Sequence, residues 1–140
     1  MTSPRFSWLT LVLHTAIALG CARIDKSREN TTVSKLTALG RALKFAIVEQ
    51  RKPVSFASID DVMSATRRYR ELTDWYLEAD GWNRRFAVSD TVVSGGLRVI
   101  SVHSLGADVS VSEDDLIVSV LIPEDGSVFI AEPRGPHRAR

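Results

Sequence analysis

A short acidic segment in the C-terminal half of the chain carries the residues best suited to bind a cation. Ser104-Leu105-Gly106-Ala107-Asp108 is followed closely by Asp114-Asp115. One glycine-turned loop therefore holds three carboxylates and several backbone carbonyls. Ca²⁺ takes about six to eight oxygen ligands, from carboxylates and carbonyls together. The composition indicates a calcium site, and the alternative is an acidic surface loop in which Asp108 is a turn former and the other two acids are solvated.

No other chemistry is indicated by the polar residues. The three histidines, His14, His103 and His137, are scattered, whereas a transition-metal site needs clustered nitrogen or sulfur ligands. We expect His103 to be a strand or turn residue satisfied by a hydrogen bond. Residues 102–106 come close to the Gly-x-Ser-x-Gly elbow of lipases, but Val102 stands where the elbow needs its first glycine. Since phosphate and dinucleotide fingerprints are also missing from the sequence, we predict that the protein is not an enzyme.

The bulk composition indicates one ordinary folded domain. The chain has 140 residues, of which 44% are hydrophobic and 25% charged, and its formal net charge is +1. This length supports one modest hydrophobic core, and the composition is that of a globular protein. A net charge so close to zero gives no reason to expect a nucleic-acid partner. Cys21 is the single cysteine, so an internal disulfide is excluded.

The first twenty residues are typical of an export signal. Arg5 precedes an apolar stretch, Phe6 to Gly20, which is shorter than the roughly twenty apolar residues that span a bilayer. Ala18-Leu19-Gly20-Cys21 resembles a bacterial lipobox, although that motif usually has leucine where Ala18 stands. The resemblance implies removal of residues 1–20, acylation of Cys21, and an exported protein anchored to a membrane, periplasmic or outer-membrane-associated. An incidental cysteine after an ordinary signal peptide is the alternative.

The remaining pattern predicts an α+β domain. Residues 21–31 are polar and are predicted to form a tether after the lipidated cysteine. Apolar residues then recur at three- and four-residue steps, which predicts an amphipathic helix from about residue 32 to 50, capped by Asn30, Thr31 or Thr32 and stopped by Pro53. Ser58 can cap a second helix.

Four short β-type runs follow, with the turn signals Gly95-Gly96 and Glu124-Asp125-Gly126 among them. We therefore predict that the N-terminal amphipathic helix packs on a small antiparallel sheet, within a domain of residues 32–132. The last eight residues, 133–140, are predicted to form a flexible tail.

Three segments, in order, resemble the head domain of the major pseudopilin of type II secretion systems. They are the helix of residues 32–50, the segment Asp80-Gly81-Trp82-Asn83-Arg84-Arg85-Phe86, and the strand Leu97 to Asp108. The second is similar to the family's Asp-Pro-Trp-Gly-Asn-Pro-Tyr, without its glycine and its prolines. The third ends in the five residues Ser-Leu-Gly-Ala-Asp that the family also has, and Asp114-Asp115-Leu116 is similar to the end of the family's loop.

The resemblance implies a calcium site, an assembly role and a set of core aromatics. The implied ligands are the Leu105 carbonyl, Asp108, the Ser112 carbonyl, Asp114 and Asp115. Implied partners are other subunits of a secretion system or pilus-like machine, bound by protein–protein contact, and Trp82 and Phe86 would be core anchors.

Three features depart from the family. The prepilin peptidase site is missing, the apolar segment Phe6–Gly20 contains no glutamate, and Val109 stands where the family usually has glycine. The alternative function is therefore an exported lipoprotein binding module that reuses the pseudopilin head fold for an unrelated ligand.

Overall fold

The predicted α+β class is confirmed in the computed structural model, where one long helix packs on a four-stranded antiparallel sheet. The structure describes residues 8–50, 54–70, 77–106 and 115–134, with the backbone alone for residues 8–22 and 134. The elements in chain order are α1 (Trp8–Gln50), α2 (Ile59–Thr66), a 3₁₀ turn (Arg67–Tyr69), β1 (Ala87–Val92), β2 (Arg98–Ser104), β3 (Leu116–Ile122) and β4 (Phe129–Arg134).

The sheet is a meander in which each strand pairs with the next along the chain, in the order β1-β2-β3-β4. Its β1–β2 turn contains Gly95 and Gly96 at φ 84° and 72°, and its β3–β4 turn contains Gly126 at φ 77°. These are left-handed conformations that glycine adopts without steric cost. Both turns were predicted from the sequence, and both are confirmed.

Helix α1 packs across β3 and β4 through one apolar stripe. Leu36, Leu39, Leu43 and Ala46, at three- and four-residue steps, are all buried. They meet the inner face of the sheet, whose buried apolar residues are Ile100, Val102, Leu116, Val118 and Val120. The spacing of the stripe is that of a single helical face, which is why the sequence pattern predicted this part of the helix correctly.

Glycine in the middle of α1 allows the helix and the sheet to approach each other. A Cβ atom built on Gly40 would lie 2.7 Å from Cγ2 of Val118, a core residue of β3. Any larger side chain at residue 40 would therefore push the helix away from the strand. The close approach offsets the roughly 1 kcal/mol that glycine costs relative to alanine inside a helix.

Helix α2 begins with the predicted cap. The Ser58 hydroxyl accepts a hydrogen bond from the Asp61 amide, and the Asp61 carboxylate accepts one from the Ser58 amide. This reciprocal pair satisfies donors that have no partner inside the helix. Ile59, Val62 and Thr66 form the buried face of α2.

A bidentate ion pair ties the β1–β2 hairpin to the segment before α2. Nε and Nη2 of Arg98 donate to the Asp90 carboxylate at 2.8 and 2.6 Å, and the Phe56 amide donates to it at 2.9 Å. Burial alone would raise the pKa of Asp90. The hydrogen bonds from Arg98 and Phe56, together with the charge of Arg98, outweigh burial and hold that pKa below its usual value.

The first helix starts much earlier than the sequence pattern predicted. It begins at Trp8 rather than near residue 32, so residues 21–31, predicted as a tether, are helical. Thr32, a predicted cap, instead donates its hydroxyl proton to the Arg28 carbonyl one turn earlier. The polar composition is compatible with helix because most side chains of residues 23–31 face solvent.

The C-terminal strand also reaches further than predicted, since β4 includes Pro133 and Arg134 of the predicted tail. Within the described residues, no helix is long and apolar enough to cross a membrane.

Candidate functional site

Two of the five predicted calcium ligands lie in the described part of the chain, and the fold brings them to the same place. Leu105 directly follows β2 and Asp115 directly precedes β3, and the last pair of that ladder is Ser104 with Leu116. The two residues are therefore one step beyond the end of the β2–β3 pairing. Asp115 is only 8% exposed. Asp108, Ser112 and Asp114 lie outside the described residues.

Within residues 8–50, 54–70, 77–106 and 115–134, there is no cluster of three or more histidine, cysteine, aspartate or glutamate side chains that could hold a metal ion. A backbone carbonyl, as at Leu105, and a carboxylate, as at Asp115, are both oxygen donors of the kind that Ca²⁺ takes.

A buried aspartate, Asp80, organises this end of the domain. Asp80 is 3% exposed. Its Oδ1 accepts from the amides of Trp82 and Arg84, both at 2.9 Å, and its Oδ2 accepts from the Ser104 hydroxyl at 2.7 Å. Three donors thus replace the water that a buried carboxylate would otherwise need.

Ser104 links Asp80 to Gly106, in the segment where the predicted calcium loop begins. Its single hydroxyl proton goes to Asp80, and its oxygen accepts the Gly106 amide at 3.2 Å. That amide belongs to the peptide group that also contains the Leu105 carbonyl. Because N–H and C=O point in opposite directions across a trans peptide, the Leu105 oxygen is turned away from Ser104. The next carbonyl, that of Gly106, accepts from Nη1 of Arg84 at 2.7 Å.

The Asp80 turn is also docked on helix α1. The Gly81 amide donates to the Thr32 hydroxyl oxygen at 2.8 Å, and Nζ of Lys35 donates to the Ala79 carbonyl at 2.7 Å. A Cβ atom on Gly81 would lie 2.2 Å from the Arg28 carbonyl oxygen. The position therefore admits only glycine, because the obstacle is helix backbone, which cannot rotate aside as a side chain can.

Asn83 closes the same turn in an unusual conformation. Its φ of 60° lies in the left-handed region, which asparagine tolerates better than most residues. Its amide donates to the Asp80 carbonyl at 3.1 Å, and the Asp80 amide donates to the Arg84 carbonyl at 2.8 Å. Residues 80–84 are thus fixed by their own backbone bonds as well as by the Asp80 side chain.

The two predicted core aromatics have different surroundings. Phe86 is buried in the main core, as predicted. Trp82 is only partly buried and does not belong to that core, so its prediction as a core anchor is wrong. Its Nε1 is shielded from solvent and has no hydrogen-bond partner in the described part of the chain.

His103 lies on the face of the sheet opposite α1. Its Nε2 is 3.1 Å from the Ser89 hydroxyl, which confirms the prediction of a strand histidine satisfied by a hydrogen bond. Burial lowers the pKa of His103, and the neighbouring carboxylate of Asp115 opposes that shift. Because Asp115 is close enough to act on His103, its charge lies on the same side of β2 and β3 as His103.

Cys21, the predicted lipidation site, lies within α1, seven residues before Arg28. Comparisons with protein-family models, with curated proteins and with solved structures find no match for this chain.

Proposed function

We propose that the protein is a membrane-tethered, extracytoplasmic structural or assembly component that resembles a type II secretion pseudopilin head and carries a calcium-stabilised loop. The observation that carries the proposal is the bond between Ser104 and Asp80, two buried residues 24 positions apart. Each belongs to one of the two loop segments that resemble the pseudopilin. That these segments contact each other supports a shared arrangement rather than two chance likenesses.

The backbone of the segment Asp80 to Phe86 adds a second line of support. Asn83 stands where the pseudopilin segment has glycine, and it has a φ of 60°. A residue in the left-handed region is one that glycine or asparagine fills at least cost. The substitution therefore keeps the turn geometry that a glycine at that place would favour.

A calcium ion would stabilise the loop by neutralising its acids. The Leu105 carbonyl and Asp115 would bind it from the two ends of the loop, with Asp108, the Ser112 carbonyl and Asp114 as the remaining protein ligands. Without a cation, carboxylates gathered on one short loop repel one another. Extracellular calcium modules bind with a Kd of about 10⁻⁴–10⁻³ M, so a weak site suffices outside the cytoplasm.

Membrane attachment is proposed through acylation of Cys21 after removal of residues 1–20. Mass spectrometry of membrane-extracted protein tests it, and the expected result is loss of residues 1–20 with acyl mass on Cys21. Recovery of an intact residue 6–20 segment from the same fraction would refute the anchor.

The second candidate function is a binding module that reuses this fold for an unrelated ligand. The observation in its favour is that Phe6–Gly20 carries no acid, unlike the stem of a pseudopilin. Cross-linking in intact cells, followed by purification and identification of the linked proteins, separates the two. Secretion-system or pilus-like subunits are expected for the assembly role, and their absence from a set of specific cross-links would favour the binding module.

A further inference from the structure

We propose that the solvent-facing side of helix α1 is a docking surface for an acidic helix of a partner protein. The surface runs from Arg23 to Val48 along the side of α1 that faces away from the sheet, and we name it the outer line. The inference rests on the proposed assembly role, for which it names a surface and the chemistry of the partner. It does not involve the acidic loop.

Two pairs of cations lie in register on the outer line. Arg41 follows Arg23, and Lys44 follows Lys26, by 18 residues each, which is five turns of an α-helix. The two pairs therefore lie on one side of the helix, about 27 Å apart along its axis. Three of the four side chains are exposed and Lys44 is half-buried. Within the described residues, none of the four forms an ion pair.

The acidic residues of the same stretch lie on the opposite side of the helix. Asp25 and Glu29 stand seven residues, or about two turns, before the buried residues Thr32 and Leu36. Residues two turns apart share a side, so the two acids continue the side of α1 that faces the sheet. The outer line therefore has no acid over its length, and its positive charge is not cancelled locally.

The section between the two cation pairs is built for close approach. It carries only small side chains: Ser27, Asn30, Thr31, Ser34, Thr37 and Ala38. Small side chains let a second helix come near, to an interaxial distance of about 8 Å. The hydroxyl protons of Thr31 and Thr37 already go to the carbonyls of Ser27 and Val33, at 2.9 and 2.8 Å. Covering these threonines would therefore leave no hydroxyl proton without a partner.

Two exposed apolar residues end the outer line. Phe45 and Val48 each follow a cation of the second pair by four residues, and they are 59% and 55% exposed. The Phe45 ring is stacked on Tyr69, with the ring centroids 6.4 Å apart, so it is held in one orientation. A partner helix could bury these two residues while its acids meet the cations beside them.

These features favour an acidic helix over the other candidate occupants. A second copy of this chain is excluded, since two outer lines packed on each other, parallel or antiparallel, would oppose cation pairs. A bilayer surface binds helices with large apolar side chains along the whole face, whereas the outer line has them only at its C-terminal end. An open groove of about 440 Å³ runs along its first part, bordered by Arg23, Lys26 and Ser34 among others. A groove fits a convex rod rather than a plane.

Binding of a designed helical peptide to the full chain, purified in detergent and followed by fluorescence anisotropy, tests the surface. The peptide carries two glutamate pairs five turns apart, and the control peptide has the same composition with its glutamates spread around the helix. We expect the aligned peptide to bind more tightly, and more tightly at low salt than at high salt, because exposed charges are screened. Equal Kd values for the two peptides would overturn the proposal.

Two double variants separate the outer line from a general effect of charge. Arg41→Gln with Lys44→Gln removes one cation pair. Arg28→Gln with Arg85→Gln makes the same change in net charge at exposed arginines off the outer line. We expect the first to raise the Kd by about 2–30-fold, the range for loss of two exposed ion pairs, and the second to leave it unchanged. An equal rise in both would show non-specific attraction and refute docking on this surface.

Ser34→Trp distinguishes a helix from a bilayer. Ser34 is exposed in the small section, so the ring leaves the core intact but holds a partner helix away. We expect the Kd for the aligned peptide to rise at least about fivefold, and circular dichroism checks that the variant is folded. A bilayer would gain from the ring. If phosphatidylglycerol vesicles bind the variant more tightly than the wild type and the peptide binds neither, the surface belongs to a membrane and the proposal is overturned.

Photo-cross-linking in intact cells separates this inference from the function on which it rests. A photoreactive residue at Ser34 should link to an acidic helix, and one at Thr91, exposed on the sheet, is the control. If the acidic helix linked at Ser34 belongs to no secretion-system or pilus-like subunit, the proposed function falls and the docking surface stands. If such subunits are linked from Thr91 alone, the function stands and docking on α1 is overturned.

Discussion

Gly81→Ala should be one of the most damaging single-methyl changes in this protein. The added Cβ would lie 2.2 Å from the carbonyl oxygen of Arg28, and 2.8 Å from both its carbonyl carbon and its Cα. All three atoms belong to the backbone of α1, so the clash cannot be relieved by a rotamer change. The turn must withdraw from the helix, which breaks the bond from the Gly81 amide to Thr32.

The expected magnitude follows from these two losses. Forcing an extra methyl into a packed contact costs about 1–3 kcal/mol. Leaving a buried donor or acceptor without its partner costs about 1–3 kcal/mol as well. Gly81→Ala should therefore lower the free energy of unfolding by about 2–6 kcal/mol, a large part of the roughly 5–15 kcal/mol of a typical domain.

Reversible urea unfolding, followed by tryptophan fluorescence and circular dichroism on the full chain in detergent, measures this loss. Gly106→Ala is the control, because a Cβ there meets open space and only the φ of 61° opposes it. Its cost should be about 1–2 kcal/mol, from the left-handed conformation alone. If Gly81→Ala unfolds within about 0.5 kcal/mol of the wild type, the turn is not docked on α1 in the way that the close approach requires.

Three further predictions concern other contacts. Gly40→Ala should destabilise the protein by about 1–3 kcal/mol in urea unfolding, because the added methyl would meet Val118. Alanine is the better helix former, so a variant more stable than the wild type would contradict the close approach of helix and strand. Asp90→Asn should lower stability by an amount that is constant above about pH 4 and shrinks at lower pH. Because the pKa of Asp90 is lower in the folded than in the unfolded chain, its carboxylate stabilises the fold fully above the unfolded pKa, near 3.8. This stabilisation is lost as the pH falls through the lower, folded pKa. A stability difference between wild type and Asp90→Asn that is unchanged at about pH 2 would refute the prediction. Ca²⁺ should raise the melting temperature of the wild type but not that of Asp115→Ala. The wild type should gain about 2.7 kcal/mol of stability at a hundredfold excess of Ca²⁺ over Kd. Equal melting temperatures of the wild type with Ca²⁺ and with chelator would refute the calcium site.

The sequence pattern predicted the sheet well because each strand is marked locally. Each strand contains a short apolar or β-branched run, although β1 and β4 also include polar residues, and the turns at Gly95-Gly96 and Gly126 are marked by glycine. The length of α1 was missed for the opposite reason. Apolar periodicity marks the part of a helix that packs on an apolar core, and in the described part of α1 the stripe from Leu36 to Ala46 does so.

The role of Asp80 was missed because its burial depends on distant residues. In the sequence, Asp80-Gly81 has the composition of a turn, and an aspartate in a turn is usually solvated. Its partners are Ser104, which is 24 residues away, and the turn that Thr32 holds from 49 residues away. No local pattern encodes such contacts. The signal that could have found them is the joint occurrence of the two pseudopilin-like segments, since one supplies the carboxylate and the other the hydroxyl.

The continuity of α1 changes what a lipid on Cys21 would do for the head. Seven residues separate Cys21 from Arg28, where the Asp80 turn docks, and a helix covers that interval in about 10 Å. A flexible tether of equal length would span about 15 Å on average, and it would leave the orientation of the head undetermined. A helix transmits orientation as well as distance, so an anchor at Cys21 would hold the head at a more defined orientation to the anchored end than a flexible tether would. The end of the domain where Gly81 meets α1 and where Arg84 contacts Gly106 would then be the end nearest the anchor.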